Sequence, residues 1–242
     1  MDADVIVVGG GVIGAAIAWR AARSGLTVTL VDPGGDDPRV GDKASLVAAG
    51  MLGPVSESVF GEQDLLNLNL HAVGRFPSFN RELEEESGKA TGLRTEGTLA
   101  VAYDSGDLAA LDRLTDFRHS IGLKAERLGA RECRQLEPFL APGTRGGVLA
   151  TGDLSVDNRR YLAALRLAAA ASGVKVLAGT VTAVDGGQVR ATVPGTAEAQ
   201  ETTLAARHVV IAAGHATRAL DGVPEEIRAA IRPVKGQILR LR

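Results

Sequence analysis

Cysteine is almost missing from this chain: Cys133 is the single one in 242 residues. That excludes a disulfide framework and a thiolate metal cluster. The four histidines, His71, His119, His208 and His215, fall at no metal-ligand spacing, so no metal site is expected. Aromatic residues make up 3% and the formal net charge is -2. A nucleic-acid partner, which needs stacking rings and a basic footprint, is therefore not expected. No uninterrupted apolar run approaches the ~20 residues of a membrane span. The first residues carry Asp2 and Asp4 in place of a basic segment, which argues against a signal peptide. A soluble, cytoplasmic protein without a membrane partner is the expectation. Hydrophobic residues at 45% and charged residues at 23% allow an ordinary buried core, in one large domain or two small ones.

Residues 4–32 carry the strongest pattern. Residues 5–8, Val-Ile-Val-Val, read as a strand buried on both faces of a parallel sheet. Gly9, Gly11 and Gly14 follow as G-x-G-x-x-G. Gly9 permits a tight turn out of the strand, Gly11 lets a pyrophosphate approach the backbone, and Gly14 lets the next helix pack closely. That helix is predicted over 12–24. Its N-terminal amides and dipole face the phosphates, and Gly25 ends it. Residues 27–31 read as the second strand. Asp32 closes it about 20 residues past the glycines, where a carboxylate meets ribose hydroxyls. A dinucleotide site is predicted. A plain βαβ unit with a glycine-rich turn does not explain why every close-approach position lacks a side chain.

Beyond Asp32 lies a turn-rich loop at 33–38, then the segment 43–52 with small residues at Ala48, Ala49 and Gly50. Two readings stand for it: a short helix packed tightly on the first βα unit, or backbone brought close to a cofactor ring. Residues 65–87 show a helical stripe, which Pro77 is expected to break or kink. Strands are predicted at 98–103 and 147–150, with helices at 108–121, 130–136 and 158–172. Residues 174–177 read as a strand. Alternating segments at 180–184, 188–193 and 201–205, joined by Gly- and Pro-containing turns, predict an antiparallel meander. A separate buried strand is predicted at 208–212, followed by the small residues Ala213 and Gly214. The pattern at 238–241 predicts a last strand.

Several of these pieces occur together in one known family. They are the glycine fingerprint with Asp32, the segment from Ala44-Ser45 to Ala48-Ala49-Gly50-Met51-Leu52, the meander before Val209-Val210-Ile211-Ala212-Ala213-Gly214, and Arg232-Pro233-Val234-Lys235-Gly236-Gln237. The chain resembles the FAD-dependent D-amino acid oxidase family over essentially its whole length, and within it the glycine oxidase branch that serves thiamine biosynthesis.

The resemblance implies an α/β fold: a Rossmann-like FAD-binding domain with an inserted antiparallel meander, plus an incomplete α+β substrate domain. The implied division is 1–92 and 146–231 for the FAD-binding domain, and 93–145 with 232–242 for the substrate domain. The implied cofactor is FAD. Gly9, Gly11, Val12, Ile13 and Gly14 would hold the pyrophosphate and Asp32 the adenosine ribose. Ser45, Ala48, Ala49, Gly50 and Met51 would line the pyrophosphate and flavin ring. Val181 would present its backbone to the adenine, and Ala213 and Gly214 would touch the dinucleotide again.

The implied activity is oxidation of glycine or other small amino acids by dioxygen, in an enzyme that is a homo-oligomer at full length. Family members continue beyond the Arg-Pro-Val-Lys-Gly-Gln segment. The chain is thus expected to be an N-terminal portion, with the residues that hold the substrate carboxylate beyond Arg242, and no catalytic residue is assigned within it. Two alternatives stay open: a nicotinamide-dependent dehydrogenase built on the same fingerprint, and a non-catalytic remnant that binds FAD.

Overall fold

In the computed structural model, residues 2–37, 39–40, 43–195 and 198–239 are described. The first half runs β1 (Ala3–Val8), α1 (Val12–Arg23), β2 (Val28–Asp32), β3 (Met51–Leu52), α2 (Gln63–Ser87), β4 (Thr98–Ala102) and α3 (Ser105–Ser120). Then come β5 (Glu126–Gly129), α4 (Ala130–Leu136), β6 (Gly146–Ala150), β7 (Leu154–Ser155) and α5 (Asn158–Ala171). The chain continues with β8 (Lys175–Ala178), β9 (Thr180–Asp185), β10 (Gln188–Val193), β11 (Gln200–Ile211) and α6 (Glu225–Ala230). Short 3-10 turns occupy Ala44–Leu46 and Gly214–Ala219.

These elements form two compact units. The first comprises Met1–Ala49, Glu82–Thr91 and Asn158–Arg242. Its six-stranded sheet has the order β8-β2-β1-β11-β10-β9. The pairs β1–β2, β2–β8 and β1–β11 are parallel. Ile6, Val7, Leu30 and Val31 are fully buried in these strands, each contributing about 1.5–3 kcal/mol of burial. The unbroken β-branched run thus forms a central parallel strand, as its composition predicts. Ala15, Ala18 and Trp19 form the buried face of α1, and α5 packs against it. Gly25, at φ +85°, follows the end of α1.

The two strands predicted at 201–205 and 208–212 are one. β11 runs unbroken for 12 residues. Its first part, up to Ala205, pairs antiparallel with β10, and from Ala206 onward it pairs parallel with β1. A strand can change partners without changing direction, so the polar residues between the two apolar stretches mark a hand-over rather than a turn. The final strand predicted at 238–241 is not formed at Ile238 and Leu239, which have no regular structure, while Arg240 and Leu241 lie outside the described residues. Alternation alone does not make a strand: the backbone groups need a partner ladder.

The second unit comprises Gly50–Arg81 and Gly92–Asp157. Its antiparallel sheet has the order β4-β6-β5. Asp104 and Asp107 form a reciprocal capping box at the start of α3. β3 pairs with β7 in a two-stranded ladder. α2 runs through Pro77 without a break. Pro77 is exposed, so the carbonyl that loses its helical partner can be hydrated, which makes the proline tolerable there. No helix among the described residues is long and apolar enough to cross a membrane.

Candidate cofactor site

The glycine turn lies where β1 and β2 end, in the first unit. Each glycine meets a different neighbour. Gly9 has φ +101°, and a β-carbon there would lie 2.5 Å from the Ala212 carbonyl oxygen and 2.9 Å from the Ala213 α-carbon. A side chain at Gly14 would run into the Gly9 carbonyl and approach the Ala212 β-carbon at 3.3 Å. Both glycines therefore serve close packing of the turn against the end of β11. Gly11 is different. It has an ordinary φ of -71°, and among the described residues its β-position meets only the Ser45 hydroxyl, at 3.2 Å. No backbone atom among the described residues crowds that side.

Ser45 reaches this point from the 3-10 turn. Its Oγ accepts the Val12 N–H at 3.0 Å, capping the first turn of α1 from outside the helix. Asn158, at the start of α5, holds the Ser45 carbonyl through its Nδ2 at 2.7 Å. Ile13 is 65% exposed. Ala48 and Ala49 are also exposed, so the tightly packed short helix considered for 43–52 is not formed there. The helical part ends at Leu46. Gly50 and Met51 belong to the second unit, where Gly50 has φ +81° and Met51 pairs with Ser155 in the β3–β7 ladder.

Asp32 is 3% exposed. Its Oδ2 accepts the Gly10 N–H at 2.7 Å and its Oδ1 the Gly34 N–H at 3.0 Å. Lys43 forms an ion pair with Oδ1 at 2.9 Å. The next strand pair returns to the same place: Gly179 donates its N–H to the Asp32 carbonyl at 3.1 Å, and β9 with Val181 begins just after it. Val181 is itself a core residue, 8% exposed. Ala213 lies against Gly9, and Gly214, at φ +57°, faces open space. The structure thus gathers Gly9, Gly11, Gly14, Asp32, Ser45 and Ala213 around one turn.

Sequence reasoning passed over three residues here. Gly10 is not required by the fingerprint, yet a β-carbon on it would strike Arg166 Nη1 and lie 2.9 Å from the Asp32 carboxylate. Lys43 immediately precedes the Ala44-Ser45 pair. Arg166 is a charge on the buried face of α5, with Leu162 and Ala169 one turn away on either side. A third consecutive glycine and a lone arginine in an apolar helical stripe were the available signals. Among the described residues, no group of three His, Cys, Asp or Glu side chains converges to hold a metal ion.

Residues 4–242 match the family described as FAD dependent oxidoreductase. The chain belongs to that family. It is 33% identical to the glycine oxidase of Geobacillus kaustophilus over 244 residues, which cover 99% of this chain and 61% of that protein. It is 31% identical to the bifunctional protein ThiO/ThiG of Synechocystis, with 99% of this chain and 33% of the relative covered. The crystal structure of the Geobacillus kaustophilus enzyme matches with a TM-score of 0.78 at 32% identity, over 90% of this chain and 56% of that one. At the level of fold, the FAD-bound L-alpha-glycerophosphate oxidase of Mycoplasma pneumoniae matches with a TM-score of 0.67 at 20% identity. The chain spans less than two thirds of the length of these relatives.

The family's cofactor is FAD, and the turn fits it. A phosphate-bearing ligand needs a helix N-terminus, a position free of side chain beside it, and an acceptor for the ribose. The start of α1, Gly11 and Asp32 supply these in one place.

Proposed function

We propose that this chain holds FAD along the turn at 9–14, with the adenosine ribose on Asp32, and forms part of a cytoplasmic oxidase of glycine or other small amino acids. The observation that carries the cofactor part is the contrast at the turn. Gly9 and Gly14 are filled against backbone, whereas the Gly11 position is bordered, among the described residues, only by the Ser45 hydroxyl beside the first turn of α1. Bound FAD would supply the redox chemistry: it would accept the hydride that leaves the amino acid's α-carbon as the amine becomes an imine, and dioxygen would take the two electrons to give hydrogen peroxide. The resulting imine hydrolyses to a 2-oxo acid and ammonia. The chain's own part is to bind and orient. The turn amides and the α1 dipole hold the pyrophosphate, Asp32 accepts from ribose, and Ser45 with the small residues Ala48 and Ala49 leaves room for the pyrophosphate and flavin ring. Val181, Ala213 and Gly214 complete the contact by backbone.

The amino-acid substrate and a place in thiamine biosynthesis are supported by the likeness to glycine oxidase and to the ThiO/ThiG protein. The test is an absorbance spectrum of the purified protein, joined to a peroxide-coupled assay with glycine. A yellow protein that releases its flavin in acid is expected; peroxide from glycine is expected near zero for this chain, which spans less than two thirds of its relatives, and is tested beside a protein of their full length. A colourless protein that binds NAD in place of FAD would overturn the reading.

A further inference from the structure

As the side chain stands, Asp32 can accept from one ribose hydroxyl but not from both. An ionised carboxylate offers about four lone-pair positions. Three are used: by the Gly10 N–H, the Gly34 N–H and Lys43 Nζ. A ribose diol brings two donors, so one partner has to leave. The two amides are fixed in the backbone of the turn and of the loop after β2. Lys43 sits on a flexible side chain whose Nζ also reaches the Val40 carbonyl, so it is the partner able to withdraw.

Withdrawal would leave a carboxylate with 3% exposure and no ion pair, which burial penalises heavily. Arg166 answers that difficulty. It is 7% exposed and anchored through Nη2 to the Gly35 carbonyl. Its Nη1 is buried and has no hydrogen-bond partner among the described residues. That atom borders the position a β-carbon on Gly10 would take, and the Asp32 carboxylate borders the same position at 2.9 Å. Burial pulls the guanidinium pKa down and the charge of Asp32 pulls it back up, and arginine stays charged in such surroundings.

We infer that Arg166 is the resident counter-ion of Asp32 and Lys43 a displaceable one, so that binding the adenosine ribose exchanges Lys43 for the diol. This rests on the cofactor reading above. It makes an asymmetric prediction about two cations beside one carboxylate. Removing Arg166 weakens the adenosine half of the ligand, while removing Lys43 strengthens it.

ADP, which carries the adenosine ribose and the pyrophosphate but no flavin, is the probe. It is titrated calorimetrically into the flavin-stripped full chain and its variants, with FMN as the control that lacks adenosine. Arg166→Met should weaken ADP by about tenfold to a hundredfold, and Arg166→Lys by less. Lys43→Met should tighten ADP by about threefold or more. FMN binding should be unchanged in all three.

Melting temperatures without ligand separate a structural role. An arginine that only supports the fold would lower the melting temperature and leave ADP affinity in the folded protein untouched. Should Arg166→Met fail to fold, Arg166→Lys and Lys43→Met still decide the sign. Equal ADP affinity in folded Arg166 variants, or weaker ADP binding by Lys43→Met, overturns the inference. If the unaltered protein binds neither ADP nor FAD, the cofactor reading falls and the inference with it.

Discussion

The turn at 9–14 and the turn at 53–58 each tie backbone amides to one buried aspartate. In the first unit Asp32 accepts from Gly10 and Gly34. In the second, Asp153, fully buried, accepts from Val55 at 2.9 Å and Ser56 at 3.2 Å. The surroundings differ. Around Asp153 the space is closed: a β-carbon on Gly53 would lie 2.6 Å from Ser56 Oγ and 3.2 Å from the carboxylate. Arg118, 4% exposed, completes the closure by donating to the Ser56 carbonyl at 2.6 Å and to Ser58 Oγ at 3.3 Å. Around Asp32 there is a Gly11 side bordered only by the Ser45 hydroxyl, a lysine on a flexible stem, and a guanidinium nitrogen with no hydrogen-bond partner among the described residues. A buried carboxylate is thus not by itself a sign of function. An unpaired polar atom does not separate the two either, since Ser56 Oγ beside Asp153 is also buried without a hydrogen-bond partner among the described residues; the room beside Gly11 and the displaceable lysine are what set the Asp32 site apart from a structural clasp.

The strongest way to break this comparison is at Gly9. Gly9→Val places a branched side chain at φ +101° and against backbone atoms of Ala212 and Ala213. Neither the turn nor the end of β11 can move aside. Stability should fall by about 3–5 kcal/mol, measured by urea unfolding or as loss of soluble protein. A stable, soluble Gly9→Val protein would mean that the turn is not packed as described.

Asp153→Ala should come next. It orphans the buried amides of Val55 and Ser56 and removes the carboxylate whose charge supports the buried Arg118. Leaving such donors unsatisfied costs about 2–5 kcal/mol, and Asp153→Asn, which keeps one carbonyl acceptor, should recover part of the loss. ADP affinity in the folded Asp153→Asn protein should match that of the unaltered chain. A drop in affinity there would dissolve the distinction between clasp and site.

Gly11→Val sharpens the contrast from the other side. With φ -71° the backbone accepts a side chain, and the one near neighbour among the described residues, Ser45 Oγ at 3.2 Å, has to give way only slightly. Exchanging the N-cap glycine for valine should cost about 1 kcal/mol, while FAD content collapses because the branched chain takes the pyrophosphate's space. Full flavin occupancy in Gly11→Val would reduce the fingerprint to a structural turn.

The legibility of the sequence follows the same division. The glycine turn, α1 and Asp32 were readable because the residues that make them are close in the chain and each obeys a local rule. α4 was placed at its observed bounds, and β10 likewise, for that reason. What escaped depends on distant partners. β11 changes its neighbour at Ala206, which only the pairing with β1 and β10 reveals. β5 has no alternation and exists because β6 lies beside it. Pro77 survives inside α2 because its side faces water. Arg166 and Asp32 meet around Gly10 although 134 positions of chain separate them, so no spacing rule connects them.

The smallest expected effect belongs to a third aspartate. Asp4, at the opposite end of the β1–β2 pair from Asp32, also accepts from a backbone amide: Thr27 N–H at 2.9 Å and Thr27 Oγ1 at 2.7 Å. The Thr27 hydroxyl and amide lower its pKa from 3.8, with Arg207 and His208 adding to the same direction. A carboxylate whose folded pKa is depressed stabilises the fold above its unfolded pKa, and that stabilisation disappears as pH falls through the folded value. The contribution of Asp4 is therefore present at neutral pH and lost only below a pH of about 4. Asp4 lies at the surface, where water screens it, so the difference from Asp32 and Asp153 should be plain. Melting temperature against pH, compared between the unaltered protein and Asp4→Asn, checks this. The two curves should be separated by a small, constant gap at neutral pH and converge in acid, because only the unaltered protein has this stabilisation to lose. A gap that widens in acid would mean that Asp4 is held for some other reason than its bonds to Thr27.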